Sequence, residues 1–142
     1  EELLLPETYI SSISERMRLY KELDSLSTDE QIDTFRSQLV DRFGELPVAS
    51  EQLLNLVRIR LRAQRLGIER IVFKEKCLLL YFVSNQESAF YQSPIFTRII
   101  GWIHSNPRRV QLKETKGKLC LSSKHATSIQ DIYDMLEAME GA

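Results

Sequence analysis

LVDRFGELPVASEQLLNLVRIRLRAQRLGI, running from Leu39 to Ile68, holds one helix stop, one helix start, the longest helix of the chain and a second stop. Gly44 follows an apolar helix end and suits the left-handed position just past a terminus. Pro47 stands where a first-turn proline is tolerated, and Gly67 closes the helix that begins there. A helix from Pro47 to Leu66 is about 30 Å long at 1.5 Å per residue. Its apolar side chains fall on two arcs: Leu53, Leu54, Val57 and Leu61 on one, Leu56, Ile59, Ala63 and Leu66 on the other. A helix covered on one side needs a single stripe, so the pattern predicts packing on two sides. Between the arcs Arg58, Arg62 and Arg65 form a ridge at i, i+4 and i+7. The helix reads as a central strut.

Two further helices are expected before it. Ser12 with Glu15 is a capping-box pattern opening a helix to about Leu26, with Ile13, Met17, Tyr20 and Leu23 as its apolar set. Thr28 with Gln31 opens another, and Ile32, Phe35, Leu39 and Phe43 share one face of it. Beyond Gly67 the period changes. Ile71–Phe73, a polar turn at Lys74-Glu75-Lys76 and the run Cys77–Val83 read as a β-hairpin whose second strand, apolar throughout, is buried on both faces. Residues 84–93 are loop-like, with Phe90 and Tyr91 as anchors. Ser93-Pro94 starts a helix with Phe96, Ile99, Ile100 and Ile103 inward, and Asn106-Pro107 ends it. A second hairpin joins Arg109–Glu114 to Lys118–Ser122 through Thr115-Lys116-Gly117. A last helix begins near Ser128, with Asp131 at the capping-box position and Ile129, Ile132, Leu136 and Met139 as its stripe. The second half is thus strand–strand–helix given twice, a candidate structural pseudo-repeat. The fold class is α+β: three N-terminal helices, then a mostly antiparallel four-stranded sheet of two β-hairpins with two further helices.

The 142 residues, with 43% hydrophobic and 27% charged side chains, have a globular composition and can bury a real core. No apolar run is long enough to span a membrane, and no charged-then-apolar leader opens the sequence. The start at Glu-Glu rather than Met points to a piece of a longer protein. Residues 1–10 are expected to be a linker or edge strand entering the domain, and 11–142 a single domain. The cell interior, the cytoplasm, is the expected compartment.

The net charge of −1 gives no global attraction to nucleic acid, but the charge is segregated. Residues 1–34 carry nine acids and three bases, and residues 108–124 carry six bases and one acid. That layout is either a set of solvated faces or a pair of opposed patches for docking on a charged partner. Cys77 and Cys120 lie in apolar strands and read as core thiols, without the CxxC spacing of a zinc site. His104 and His125 have no partner at metal or triad spacing. Asp41-Arg42 read as helix-end polar residues able to pair and fix the turn. No phosphate loop is present, and no catalytic constellation is visible, so the chain is not expected to be an enzyme. For nucleic acid the candidates are the arginine ridge and the basic hairpin 108–124, but the hairpin lacks aromatic residues for stacking. Trp102, Phe90 and Tyr91 either complete the core or serve as interface anchors.

DRFGELP followed by RLRAQRLGI, and preceded by LPETYI and ERMRLYKEL, resembles the C-terminal domain of bacterial transcription-repair coupling factors. The likeness in words covers about Leu3 to Ile71; beyond Phe73 it is one of pattern. In that family the full protein is an ATP-driven DNA translocase that displaces stalled RNA polymerase and recruits the nucleotide excision repair protein UvrA. The resemblance implies that residues 11–142 are the regulatory domain, which docks on the N-terminal UvrB-like module of its own chain, masks UvrA binding and restrains the motor. It implies no cofactor in this fragment, with ATP and magnesium used by the motor modules elsewhere. The partners implied are the UvrB-like module directly and UvrA and RNA polymerase indirectly; direct nucleic-acid binding and membrane contact are not expected. The motifs name no interface residue. The charged side chains taken as candidates are Arg58, Arg62, Arg65, Arg108 and Arg109. The alternative is a DNA-contacting accessory domain that uses the basic hairpin 108–124.

Overall fold

A computed structural model describes residues 4–141 and divides into two compact units, one up to Leu61 and one from Arg62 onward. In the first unit the described residues before the first helix form no strand. The Tyr9 and Ile10 N–H groups both bond to the Pro6 carbonyl, and Leu5 and Ile10 are buried in the unit's core. Helix α1 spans Ile13–Asp24, α2 spans Asp29–Phe43, and α3 spans Val48–Arg65. Each of the first two starts where its cap was expected. The Ser12 hydroxyl accepts from the Glu15 N–H and the Thr28 hydroxyl from the Gln31 N–H, satisfying first-turn donors that otherwise have no partner. The Gln31 side chain reaches back to the Ser27 N–H (2.7 Å), while Glu15 turns to Arg18 and Arg42.

The inward faces differ from the expected ones in two places. In α1 the buried residues are Leu19 and Leu23; Ile13 and Met17 are 70% and 62% exposed. Periodicity identified the helix but centred its stripe about a quarter-turn away from the face that packs. In α3 the first arc is inside, with Leu54, Val57 and Leu61 buried. Of the second arc Ile59, Ala63 and Leu66 are buried, but Leu56 is 44% exposed.

The turn between α2 and α3 is held from a distance. Gly44 has φ +89° and ψ −166°, a conformation all but restricted to glycine and not the left-handed helical one expected. The Tyr9 hydroxyl donates to the Gly44 carbonyl (2.6 Å) and lies 3.2 Å from the Leu39 carbonyl. Burial pushes the Tyr9 phenol up, which keeps it a donor. Arg42 pairs with Glu15 at 2.6 Å rather than with Asp41.

The second unit is a four-stranded antiparallel sheet with helices. Strands β1 (Ile68–Lys74) and β2 (Cys77–Phe82) form one hairpin, β3 (Val110–Thr115) and β4 (Lys118–Ser123) the other. The strand order is β1-β2-β4-β3, so the hairpins meet through antiparallel β2 and β4. Both hairpin turns use two residues at positive φ: Glu75 (53°) with Lys76 (62°), and Lys116 (54°) with Gly117 (76°). Turns of that hand match the right-handed strand twist. A 3₁₀ turn over Ala89–Gln92 precedes α4 (Pro94–Ser105), and α5 covers Ile129–Gly141. The Ser93 and Ser128 hydroxyls cap α4 and α5 by accepting from the Phe96 and Asp131 N–H groups. The α5 stripe is Ile132, Met135, Leu136 and Met139, with Ile129 only half-buried.

Directly opposed residues in antiparallel strands point to the same face. Leu80 opposes Ile71 and Leu121, and Leu121 opposes Leu112; Leu78 opposes Phe73 and Ser123. This face is the covered one: Leu78, Leu80, Phe82 and Leu121 are at most 1% exposed, and Phe82 meets Phe96 of α4 edge-on. β2 therefore alternates buried and half-buried residues and is not enclosed on both sides. It is central in the sheet, and its buried residues are those on the face that meets α4. Gly67 (φ +69°) sits between α3 and β1, where an added Cβ would come within 2.4 Å of the Phe90 ring.

Candidate interaction surfaces

The five arginines singled out in the sequence fall into two different environments. Arg58 donates to Asp33 at 2.8 Å and to Asn55 at 3.2 Å, and its side chain is only 14% exposed. Arg62 lies 3.1 Å from Glu140, its guanidinium stacks over the Tyr133 ring at 5.0 Å, and its side chain is 11% exposed. Arg65 makes a two-pronged contact with the same Glu140 carboxylate, at 2.6 and 3.2 Å. That carboxyl is held below the usual range, chiefly by the Arg65 hydrogen bond. The ridge is thus spent on internal contacts, with carboxylates that lie far away in sequence. A planar guanidinium suits such two-pronged pairing, and partial burial strengthens it. Glu51, on the same helix, pairs with Arg36 (2.8 and 3.0 Å) and not with the ridge.

Arg108 and Arg109 are exposed and stand beside the sheet. The Arg109 guanidinium lies 5.9 Å from the Trp102 ring centre, and its carbonyl accepts from Ser123 Oγ at 2.9 Å. Together with Lys113, Lys124 and His125 these arginines line a groove of about 230 Å³, floored by Leu79 and Cys77. No acidic side chain lines it. The sequence named the two arginines; what brought Lys113 and Cys77 to the same place is the pairing of β3, β4 and β2.

The remaining candidates resolve as follows. Cys120 is buried and Cys77 half-buried; both lie on the sheet face opposite the one that meets α4, and burial pushes the Cys120 thiol up. His104 and His125 are exposed, with His125 Nδ1 3.4 Å from the Arg109 carbonyl. Trp102 is 7% exposed and completes the core. Phe90 and Tyr91 join Phe82 and Phe96 in an aromatic cluster with centroid separations of 5.0 to 6.4 Å. The Tyr91 hydroxyl donates to the Val83 carbonyl, which ties the 84–93 loop to the end of β2. Among the described residues no three His, Cys, Asp or Glu side chains gather as a metal site would need, and no helix is long and apolar enough to cross a membrane.

Comparison with known proteins places this arrangement. The solved C-terminal domain of a transcription-repair coupling factor superposes with a TM-score of 0.82 at 19% identity, covering 99% of this chain and 86% of that one. The transcription-repair-coupling factor of Escherichia coli K12 is 30% identical over 109 residues, 77% of this chain and 9% of its own length. That of Staphylococcus epidermidis is 30% identical over 119 residues, 79% of this chain and 10% of its own. That of Buchnera aphidicola is 40% identical over 68 residues, 48% of this chain. The chain therefore spans about a tenth of the length of the curated relatives it matches. The TRCF domain model matches residues 1–93, well over half of the sequence, and with the shared fold it settles the relationship: the chain belongs to the TRCF domain family of transcription-coupled DNA repair.

Proposed function

We propose that this chain is the non-catalytic, autoinhibitory C-terminal domain of a cytoplasmic transcription-repair coupling factor. In this reading it docks on the N-terminal UvrB-like module of its own parent chain. Docking masks the surface that UvrA binds and restrains the ATP-driven translocase until RNA polymerase is engaged. The observation that carries the reading is the membership of this chain in the TRCF family, over about a tenth of the length of its relatives. The cofactors of the parent protein, ATP and magnesium, belong to its motor modules.

The physics of a releasable clamp agrees with the surface. An intramolecular contact gains from a high effective concentration, so each docking patch need be only weakly adhesive. Exposed charges at the rim of an interface govern encounter and salt sensitivity more than total affinity. Arg108 and Arg109 are free to play that part, whereas Arg58, Arg62 and Arg65 are held by carboxylates of their own units. The acid-free groove also favours a second reading, a DNA-contacting accessory domain built on the hairpin 108–124.

Calorimetric titration against the UvrB-like module of the parent, with DNA titrated in parallel at low and moderate salt, separates the two. Micromolar or tighter protein binding that UvrA blocks establishes the clamp. Salt-steep DNA binding without protein binding refutes it in favour of the second reading.

A further inference from the structure

The face of the sheet opposite the one that meets α4 has a composition unlike the rest of the molecule. Strand register places Arg70 and Lys74 of β1, Lys113 of β3 and Lys118 of β4 on it, around a centre made by Val72, Leu79 and Tyr81. The four cations are exposed and the three central residues are half-buried. One acidic residue reaches the edge of the face: Glu114 lies on the opposite one and Glu75 is in a turn, but Glu69, at the β1 bulge, lines a cavity with Arg70, Tyr81 and Lys118 and accepts from the Ser84 N–H at 3.1 Å. The groove at the Arg108–Arg109 end extends the same cationic character.

The cations here also differ from most of those in the helical stretch in how they are used. In the helical stretch Arg18, Arg36, Arg42, Arg58, Arg60, Arg62 and Arg65 pair with carboxylates, while Arg16 donates to the Ile10 carbonyl at 2.6 Å. Among the described residues Arg70, Lys74, Arg108, Lys113, Lys118 and Lys124 have no such partner, in a chain with 20 acids and 19 Lys and Arg. Positive charge without internal compensation is therefore concentrated around one flat, aliphatic-centred surface. Mutual repulsion of those cations is relieved when a partner supplies carboxylates.

We infer that this open sheet face, with its adjoining groove, docks an acidic protein segment in which Asp and Glu alternate with apolar side chains. Such a segment lays its apolar residues on Val72 and Leu79 while its carboxylates reach the flanking Lys113, Lys118, Arg70 and Lys74. Single-stranded nucleic acid fits the surface less well. Its binding platforms stack bases on exposed aromatic rings. The one ring here, Tyr81, already has the Arg70 guanidinium 5.6 Å from its centre. The inference deepens the docking reading, on which it rests for the partner's being a protein; the chemistry of the face stands apart from it.

The test is an amide NMR titration of the 142-residue chain with three probes. These are a synthetic peptide alternating Glu or Asp with Leu or Val, the same peptide with Lys at every acidic position, and an oligothymidylate of similar length. Each is repeated on Lys113→Glu/Lys118→Glu, whose two exposed positions lie outside the core, and the UvrB-like module is titrated alongside. The inference expects the acidic peptide alone to shift Val72, Leu79, Cys120 and Ser122, with binding at least about 10-fold weaker in the double variant. An acidic peptide that fails to bind, or that shifts other residues, overturns it. So does an oligothymidylate that binds the face more tightly than the peptide. Module binding that the double variant leaves unchanged overturns the inference while the docking reading survives. Peptide binding on the face with no module binding does the reverse.

Discussion

Replacing Gly67 with alanine imposes two separate penalties on the turn that joins α3 to β1. The residue has φ +69°, where a side chain costs about 1–2 kcal/mol because its Cβ crowds the neighbouring carbonyl. The new Cβ would also lie 2.4, 2.5 and 2.7 Å from three carbons of the Phe90 ring. That ring cannot swing away freely. It stacks on Phe82 (6.2 Å) and meets Tyr91 (5.1 Å) and Phe96 (5.3 Å) edge-on. Forcing an extra carbon into a packed site of this kind costs about 1–3 kcal/mol. The sum is about 2–5 kcal/mol, a large share of the stability of any domain this size. Urea unfolding followed by the fluorescence of Trp102, the single tryptophan, reads it within the same unit. The two terms separate in a double-mutant cycle: with Phe90→Ala already present, Gly67→Ala should cost only the backbone term. A cost below about 1 kcal/mol in the parent background, or the same cost in both backgrounds, refutes the steric argument.

Three further outcomes are expected. Tyr9→Phe removes the hydroxyl that holds the Gly44 and Leu39 carbonyls and should cost about 1–2 kcal/mol by chemical denaturation, with loss of protection in hydrogen exchange at the α2–α3 turn. Lys76→Gly relieves a non-glycine residue at φ +62° in a two-residue hairpin turn. It should raise stability by about 0.5 kcal/mol, the relief exceeding the added freedom of the unfolded chain; a lowered urea midpoint would contradict this. Glu140→Gln leaves Arg62 and Arg65 without their shared carboxylate and should cost about 1–2 kcal/mol near neutral pH. Because the folded-state pKa of Glu140 is depressed, its contribution is complete above the unfolded value of about 4.3 and is lost as pH falls through the folded value. The stability gap between parent and variant, measured from pH 7 down to 3, should therefore close on the acid side and stay constant above about pH 5.5.

The family and the order of elements were legible in the sequence because their signals are local. Ser12, Thr28, Ser93 and Ser128 each accept from a first-turn N–H three residues on, and such a bond needs nothing beyond its own helix start. The hairpins were legible for the same reason, through turn residues flanked by apolar runs. Of the candidate interaction residues, Arg65, Arg108 and Arg109 are exposed, and of these Arg65 is bound to Glu140. Arg58 looked equally available, but its carboxylate partner, Asp33, is 25 residues away in another helix. The Glu140 that binds Arg65 is 75 residues away, and no spacing rule reaches that far.

The sequence by itself determined which helices and strands form, in what order, and that the whole is α+β, because caps, turn residues and apolar periods act over a few residues; it placed the start of β1 three residues late, at Ile71 instead of Ile68. Tertiary structure alone decided which side of each element is inside. Ile13 and Met17 are as apolar as Leu19 and Leu23 but face outward, since burial depends on what packs against the helix and not on the helix itself. In the same way β2 reads as apolar on both sides, yet only the residues turned toward the helices are enclosed. The cationic sheet face is a product of assembly as well. Arg70, Lys74, Lys113 and Lys118 come from three strands and from both hairpins, and only the pairing of β2 with β4 sets them on one surface.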